Sequence, residues 1–265
     1  MLILLCLIVI IILIIFLYLL SKTSSDHINE YFPIEPVIIV PYGELDVNQE
    51  RKKQYNKFID HFRKLKNHPM IFIAEQKFPI SHGFNKGKLL NSTTDYLLNK
   101  GIISTHSFII FHDIDMLPDT EMLKKYYCGF KNTVFNLLPI TDVFMKIYGI
   151  NNYPMCGGIF STNVGDFISV NGFPNLWNWG GEDVELSNRY IKNKFRFLKN
   201  NRGTFTSTDD YRNDKKQNWI MTHKNTNRTF DPLLRTGFSD VYNTYKIIKV
   251  KDIDKSIKLI QLDIS

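Results

Sequence analysis

An α/β fold, with a mainly parallel central sheet flanked by helices, is what this chain predicts. Three observations carry that reading: short apolar runs closed by turn residues, helical periods lying between those runs, and acidic pairs placed where an element ends or begins. One further apolar helix is expected ahead of the folded part.

The first twenty residues, MLILLCLIVIIILIIFLYLL, contain no charge and no helix breaker. At helical rise they would extend roughly 30 Å, enough to cross a bilayer. Residues 1–20 are therefore read as an uncleaved transmembrane anchor, since the basic start and small-residue cut site of a signal peptide are missing. Lys22 follows the span and no Lys or Arg precedes it, so charge specifies its orientation only weakly. Residues 21–34 read as a short polar stem, and residues 35–265 as a single domain.

Within that domain PVIIVPYG (36–43) reads as a buried strand. Residues 49–66 follow as a helix with Tyr55, Phe58, Ile59, Phe62 and Leu65 on one face. MIFIAEQ (70–76) is the next strand, and HGFNKGKLLNSTTDYLLNKG (82–101) supplies a loop and then a helix from about Gly87 to Gly101. The strand in SFIIFHDIDMLPD turns polar at its end. Strand, helix, strand, helix, strand indicates βαβ connections. TVFNLLPI and GGIFST are further strands. Residues 182–195 form a helix with Val184, Leu186, Tyr190 and Ile191 on its apolar side, residues 203–240 are loop-rich, and the last segment makes two short strands around a turn.

The formal charge of +7 comes from 33 basic and 26 acidic residues. The lysines are scattered, which suits solubility and an anionic ligand but not nucleic acid. Arg51–Lys57 and Lys192–Lys199 have helical spacing and read as solvated helix faces. Of three cysteines, Cys6 lies in the span and Cys128 and Cys156 make one conceivable pair. Asn91 (NST) and Asn227 (NRT) fit the glycosylation pattern.

Two stretches carry chemistry. If the strand before FHDIDMLP continues through Asp115, its two-residue period puts Asp113 and Asp115 on one face. Carboxylates held that close repel unless a cation intervenes, and a hard divalent ion would take their oxygens together with those of a diphosphate. An ordinary acidic turn fits the pattern equally. His112, between strand and acids, should point away and form a structural hydrogen bond. In LWNWGGEDVELSNRY, Gly180 and Gly181 permit a tight approach before a helix whose first turn carries Glu182 and Asp183. The helix dipole alone would favour both acids there. Trp177 and Trp179 add stacking surfaces suited to a sugar. Adjacent carboxylates do not flank one bond as a glycosidase requires, and neither a phosphate-binding loop nor a dinucleotide fingerprint occurs.

FNKGKLLN, FHDIDMLP, GGIFST, NGFPNLWNWGGEDVELSNRY and the later MTH, in this order across residues 35–240, resemble the beta-1,4-galactosyltransferase family and the glycosyltransferases close to it. The resemblance implies a GT-A fold, an inverting reaction, a UDP-sugar donor, usually UDP-galactose, a glycan acceptor such as terminal N-acetylglucosamine, and Mn²⁺ or Mg²⁺. It also implies a single-pass type II membrane protein of the Golgi. It assigns Asp115 and His223 to the metal, and Asp113, Phe84 and Lys86 to the donor. Asp183 becomes the general base, Glu182 orients the sugars, and Trp179 with Gly180 and Gly181 belongs to a small closing loop. Departures are visible. Lys86 stands where the family has arginine, Ile220 where many relatives have a methionine ligand, and Phe108 where the disulfide partner of Cys128 is usual. Met155, just before Gly157 and Gly158, stands approximately where a tyrosine separates galactose from N-acetylgalactosamine. UDP-N-acetylgalactosamine or UDP-glucose is thus a rival donor, and a non-catalytic, membrane-held glycan-binding module is the rival class.

Overall fold

In a computed structural model of the chain, residues 32–33, 35–43, 50–78, 83–137, 156–177, 181–200, 205–207 and 236–265 are described. After the two-residue strand Phe32–Pro33 (β1), the run Val37–Tyr42 (β2) is buried along its whole length. An uninterrupted apolar run needs cover on both faces, and this one has it. Val37 and Ile39 enter one hydrophobic cluster with Phe72, Ile109 and Phe111, while Ile38, Val40 and Tyr42 enter another with Ile71, Ile73 and Ile110. The second cluster is closed by Phe58, Ile59 and Phe62 of helix Glu50–Lys64 (α1). The first is closed by Leu89, Leu90 and Leu97 of helix Lys86–Asn99 (α2).

The strands Met70–Phe78 (β3) and Phe108–His112 (β4) flank β2, both parallel to it. Past β4 come Met116–Pro118 (β5), helix Thr120–Lys125 (α3), Cys128–Gly129 (β6), Thr133–Asn136 (β7), Ile159–Asn163 (β8), helix Val164–Ser169 (α4), helix Glu182–Lys192 (α5), Arg196–Lys199 (β9), Phe205–Ser207 (β10), Lys246–Asp254 (β11) and Ile257–Asp263 (β12). The main sheet runs β11-β12-β3-β2-β4-β8-β7-β9. Its parallel pairs are β12/β3, β3/β2, β2/β4 and β7/β9, while β11/β12, β4/β8 and β8/β7 are antiparallel. The sheet is mixed but largely parallel, with helices on both faces. Exposed lysines 246, 249 and 251 line the outer strand β11, a charged edge that discourages further pairing.

Several expectations change. The strand at FIIFH stops at His112, and Asp113–Met116 is a turn closed by a Met116 N–H to Asp113 C=O bond of 3.2 Å. Strand alternation therefore does not align Asp113 with Asp115. The basic stretch Lys192–Lys199 is not a helix face: α5 ends at Lys192, Lys194 adopts φ of 61°, and Arg196–Lys199 is an edge strand. Val184 and Ile191 are each 40% exposed, whereas Arg189 and Ser187 are fully buried beside Leu186 and Tyr190. Cys128 and Cys156 are free thiols in opposite hydrophobic clusters. Asn91 is buried; its amide donates to the Phe173 carbonyl and Asn175, and its oxygen accepts from Phe173 N–H, so this side chain is not available to a glycan. Asn227 and the predicted anchor lie outside the described residues. Among the described residues, no helix is long and apolar enough to cross a membrane.

Candidate active site

Helix α2 begins at Lys86 because Asn85 caps it. The Asn85 side chain accepts from Lys88 N–H at 2.9 Å, while its own N–H donates to Gln76 Oε1 of β3 at 2.9 Å. The cap fixes the helix start against the sheet. A Cβ on Gly87 would lie 2.0 Å from the Pro174 carbonyl oxygen, so only glycine lets the helix seat there. Phe84 packs half-buried on the core just ahead of the cap.

Lys86 thereby delivers its ammonium into a group of acids. Nζ is 3.0 Å from Asp113, 3.3 Å from Asp183 and 3.9 Å from Glu182. Asp113 arrives from the end of β4, where its N–H donates to Gly158 C=O at 2.8 Å and prolongs the β4/β8 pairing. Glu182 and Asp183 arrive on the first turn of α5, entered through Gly181 at φ of 92°. Gly157 faces Asp183 so closely that a Cβ there would lie 3.3 Å from Oδ2. Segments distant in sequence thus converge at the carboxyl end of β4, where α/β sheets commonly bind ligands.

The electrostatics follow from this crowding. Burial alone would lower the Lys86 ammonium, but Asp113, Asp183 and Glu182 outweigh it and hold the proton well above the ordinary lysine range. Burial raises the Asp183 carboxyl, Lys86 pulls it back, and Glu182 and Asp113 push it up again, to about 7. His112 points into the opposite cluster, against Phe58, Phe62 and Tyr126, and its Nδ1 lies 2.8 Å from the Asp113 carbonyl. Burial lowers its pKa to about 4, against the pull of Asp113, so it is neutral at physiological pH.

Sequence reasoning missed two residues. Ser187 accepts from Cys156 N–H at 2.8 Å and donates to the Asp183 carbonyl at 2.6 Å, tying the Cys156–Gly157 segment ahead of β8 to α5. Arg189, fully buried, donates to Glu185 and to the carbonyls of Asn171, Gly172 and Thr236. A buried helix residue of polar type gives no periodic apolar signal, and only the single Arg within VELSNRY hinted at it.

For a metal, Asp113 and Asp115 are hard oxygen donors of the kind Mn²⁺ and Mg²⁺ prefer, and Asp115 is buried in the turn that follows β4. Among the described residues no three His, Cys, Asp or Glu side chains form a complete ligand set. The third candidate, His223, lies outside the described residues, as do Met155, Trp179 and Gly180. The donor chemistry fits a hard divalent ion.

A family model described as the N-terminal domain of galactosyltransferase matches residues 142–211. Beta-1,4-galactosyltransferase 2 of Cricetulus griseus is 28% identical over 177 residues, which is 59% of this chain and 46% of that protein. Human beta-1,4-galactosyltransferase 6 is 40% identical over 83 residues, 31% of this chain and 20% of its own length. The family-level match is to the beta-1,4-galactosyltransferases. The chain spans about half the length of the curated relatives it matches first. Among solved structures, the catalytic domain of Drosophila beta-1,4-galactosyltransferase 7 in complex with xylobiose superposes with a TM-score of 0.62 at 21% identity, covering 88% of this chain and 94% of that one. A mutant of that enzyme, solved with manganese, UDP-Gal and xylobiose, gives 0.60 at 19% identity. At such identities the likeness shows a shared fold. The galactosyltransferase-like segments FNKGKLLN, FHDIDMLP, GGIFST and GGEDVELSNRY are those whose residues meet around Lys86.

Proposed function

We propose that the chain is a metal-dependent inverting glycosyltransferase that moves a hexose, in the leading version galactose, from a UDP-sugar to an acceptor sugar such as terminal N-acetylglucosamine in beta-1,4 linkage. The observation that carries the proposal is the convergence of Lys86, Asp113, Glu182 and Asp183 against the Gly157 backbone. A lone acidic helix start would not draw in a lysine and an aspartate from two other elements.

In this reading the Asp183 carboxylate takes the proton of the acceptor hydroxyl while that oxygen attacks the anomeric carbon. The bond from that carbon to the β-phosphate oxygen breaks on the opposite face, UDP departs with the electron pair, and configuration inverts. Glu182, almost wholly buried, orients sugar hydroxyls. Lys86 offers a cation to the diphosphate and meanwhile balances the acids. Asp115 and His223 would hold Mn²⁺ or Mg²⁺, which when bound would neutralise charge on the leaving diphosphate. Trp179 and Gly180 would close over the sugars and exclude water. Met155 is the residue to examine for donor choice, and UDP-N-acetylgalactosamine and UDP-glucose are the alternative donors. The anchor at residues 1–20, the stem at 21–34 and a type II Golgi location complete the proposal.

The test is incubation of the full chain with UDP-galactose, UDP-N-acetylgalactosamine or UDP-glucose and acceptors ending in N-acetylglucosamine or xylose, the latter because a structural relative was solved with xylobiose. A single beta-linked product that disappears with EDTA and returns with Mn²⁺ supports the proposal. An alpha-linked product, or donor hydrolysis alone, contradicts it.

A further inference from the structure

The far end of helix α2 from Lys86 carries a second recess, of about 490 Å³, lined by Tyr96, Tyr242 and Tyr245 together with Asp95, Asn99, Asn243, Ile247 and two lysines, Lys100 and Lys246; the Lys100 ammonium lies 5.9 Å over the Tyr96 ring, which leaves Tyr242 as the open aromatic face. Nine to thirteen residues of helix separate these α2 positions from Lys86, which is roughly 14–20 Å along its axis. The recess is therefore distinct from the acidic cleft, and no step of the proposed transfer uses it.

Its composition is specific. Tyr96 and Tyr245 pack half-buried on the edge of the core, while Tyr242 is 69% exposed. A single exposed aromatic is ordinary, but three tyrosines around one concavity are less so. The polar groups are already ordered. Asp95 Oδ2 accepts from the Tyr245 hydroxyl at 2.7 Å and from Asn99 Nδ2 at 2.9 Å. Tyr242 sits on a tight turn in which Thr244 N–H donates to Val241 C=O at 3.0 Å and the Thr244 hydroxyl donates to Asp240 C=O at 2.8 Å. The exposed ring is thus presented by an ordered turn, so less ordering entropy is lost when a ligand covers it.

Ring faces contact the C–H faces of pyranoses, and amides and a carboxylate match their hydroxyls; the volume falls in the range of small-molecule sites. We propose that this recess is a second glycan-binding site, which holds a neutral oligosaccharide through Tyr242 and the Asp95–Asn99–Asn243 polar rim. A chain held there raises the local concentration of glycan near the protein without taking part in bond formation. The site stands whether or not Asp183 performs transfer.

The experiment uses the full chain in phospholipid nanodiscs, titrated with chitotetraose, xylotetraose and lacto-N-neotetraose in the presence of saturating UDP, with saturation-transfer NMR as the readout. At least one of the three should bind saturably, with a dissociation constant on the order of 1 mM. Y242A should weaken that binding about tenfold, and Y242F should keep it. Because Tyr242 is exposed, neither substitution threatens the fold, and unchanged thermal unfolding verifies this. The absence of saturable binding by all three sugars, equal binding in Y242A, or loss in Y242F as large as in Y242A would overturn the proposal. Transfer activity is measured separately on the same samples, so failure of this site and failure of the transferase reading give different results.

Discussion

Lys86 holds Asp113, Glu182 and Asp183 together, all within 3.9 Å of its ammonium. Replacing it with methionine leaves three acids without that counter-charge and removes a cation from the donor side. Lys86→Met should lower transfer by about 10²-fold, measured as kcat/KM for the UDP-sugar. Asp183 makes a second prediction. Its carboxyl is pushed up to about 7, and a base must be ionised, so kcat/KM should fall about tenfold for each pH unit below 7 and level off above about 8. Since Lys86 is what pulls this carboxyl down, the limb should move to higher pH in Lys86→Met. A flat profile between pH 5 and 8 would remove Asp183 from the role of base. The acids of this site were legible in the sequence, because DID ends an apolar run and GGED opens a helix. Their meeting with Lys86 was legible only through the family resemblance, since no local pattern joins positions 86, 113 and 183. Ser187 and Arg189 were not legible, because burial of a polar helix residue is decided by partners distant in sequence.

At the scale of elements, the tightest constraint is the start of α2. An alanine at Gly87 would improve helix propensity by just under about 1 kcal/mol but drive its Cβ into the Pro174 carbonyl, a clash of the kind that costs about 1–3 kcal/mol. Gly87→Ala should therefore destabilise the fold by up to about 2 kcal/mol in urea unfolding and lower activity with it. Arg189 joins α5 to the 171–172 turn and to Thr236. Its replacement by methionine leaves Glu185 and three carbonyls with one partner fewer in a buried place, at a cost of about 3–5 kcal/mol in the same assay. Legibility at this scale followed length and continuity. β2 and β3 are apolar runs and were read correctly, as were the start of β4 and, from their periods, α1 and α2. α4, six residues long, is too short to show a period, and β9, reading RFLK, is an exposed edge with charge at both ends. The strand supposed to reach Asp115 instead turns after His112, where the sheet gives way to the cleft.

For the whole molecule, the largely parallel sheet between two hydrophobic clusters places β4 centrally, with its carboxyl end open to α2 and α5. The fold class was readable from the alternation of strands and helices; the reversed direction of β8, antiparallel to both β4 and β7, was not, since register and direction depend on partners rather than on local pattern. The central claim is that this arrangement serves sugar transfer through Asp183. The most direct measurement compares the full chain with Asp183→Asn in mass-resolved transfer from UDP-galactose with Mn²⁺, with UDP binding measured in parallel. The account predicts that the variant binds UDP about as well as the parent chain and makes product at least about 10²-fold more slowly. Undiminished transfer by a folded Asp183→Asn variant would contradict it.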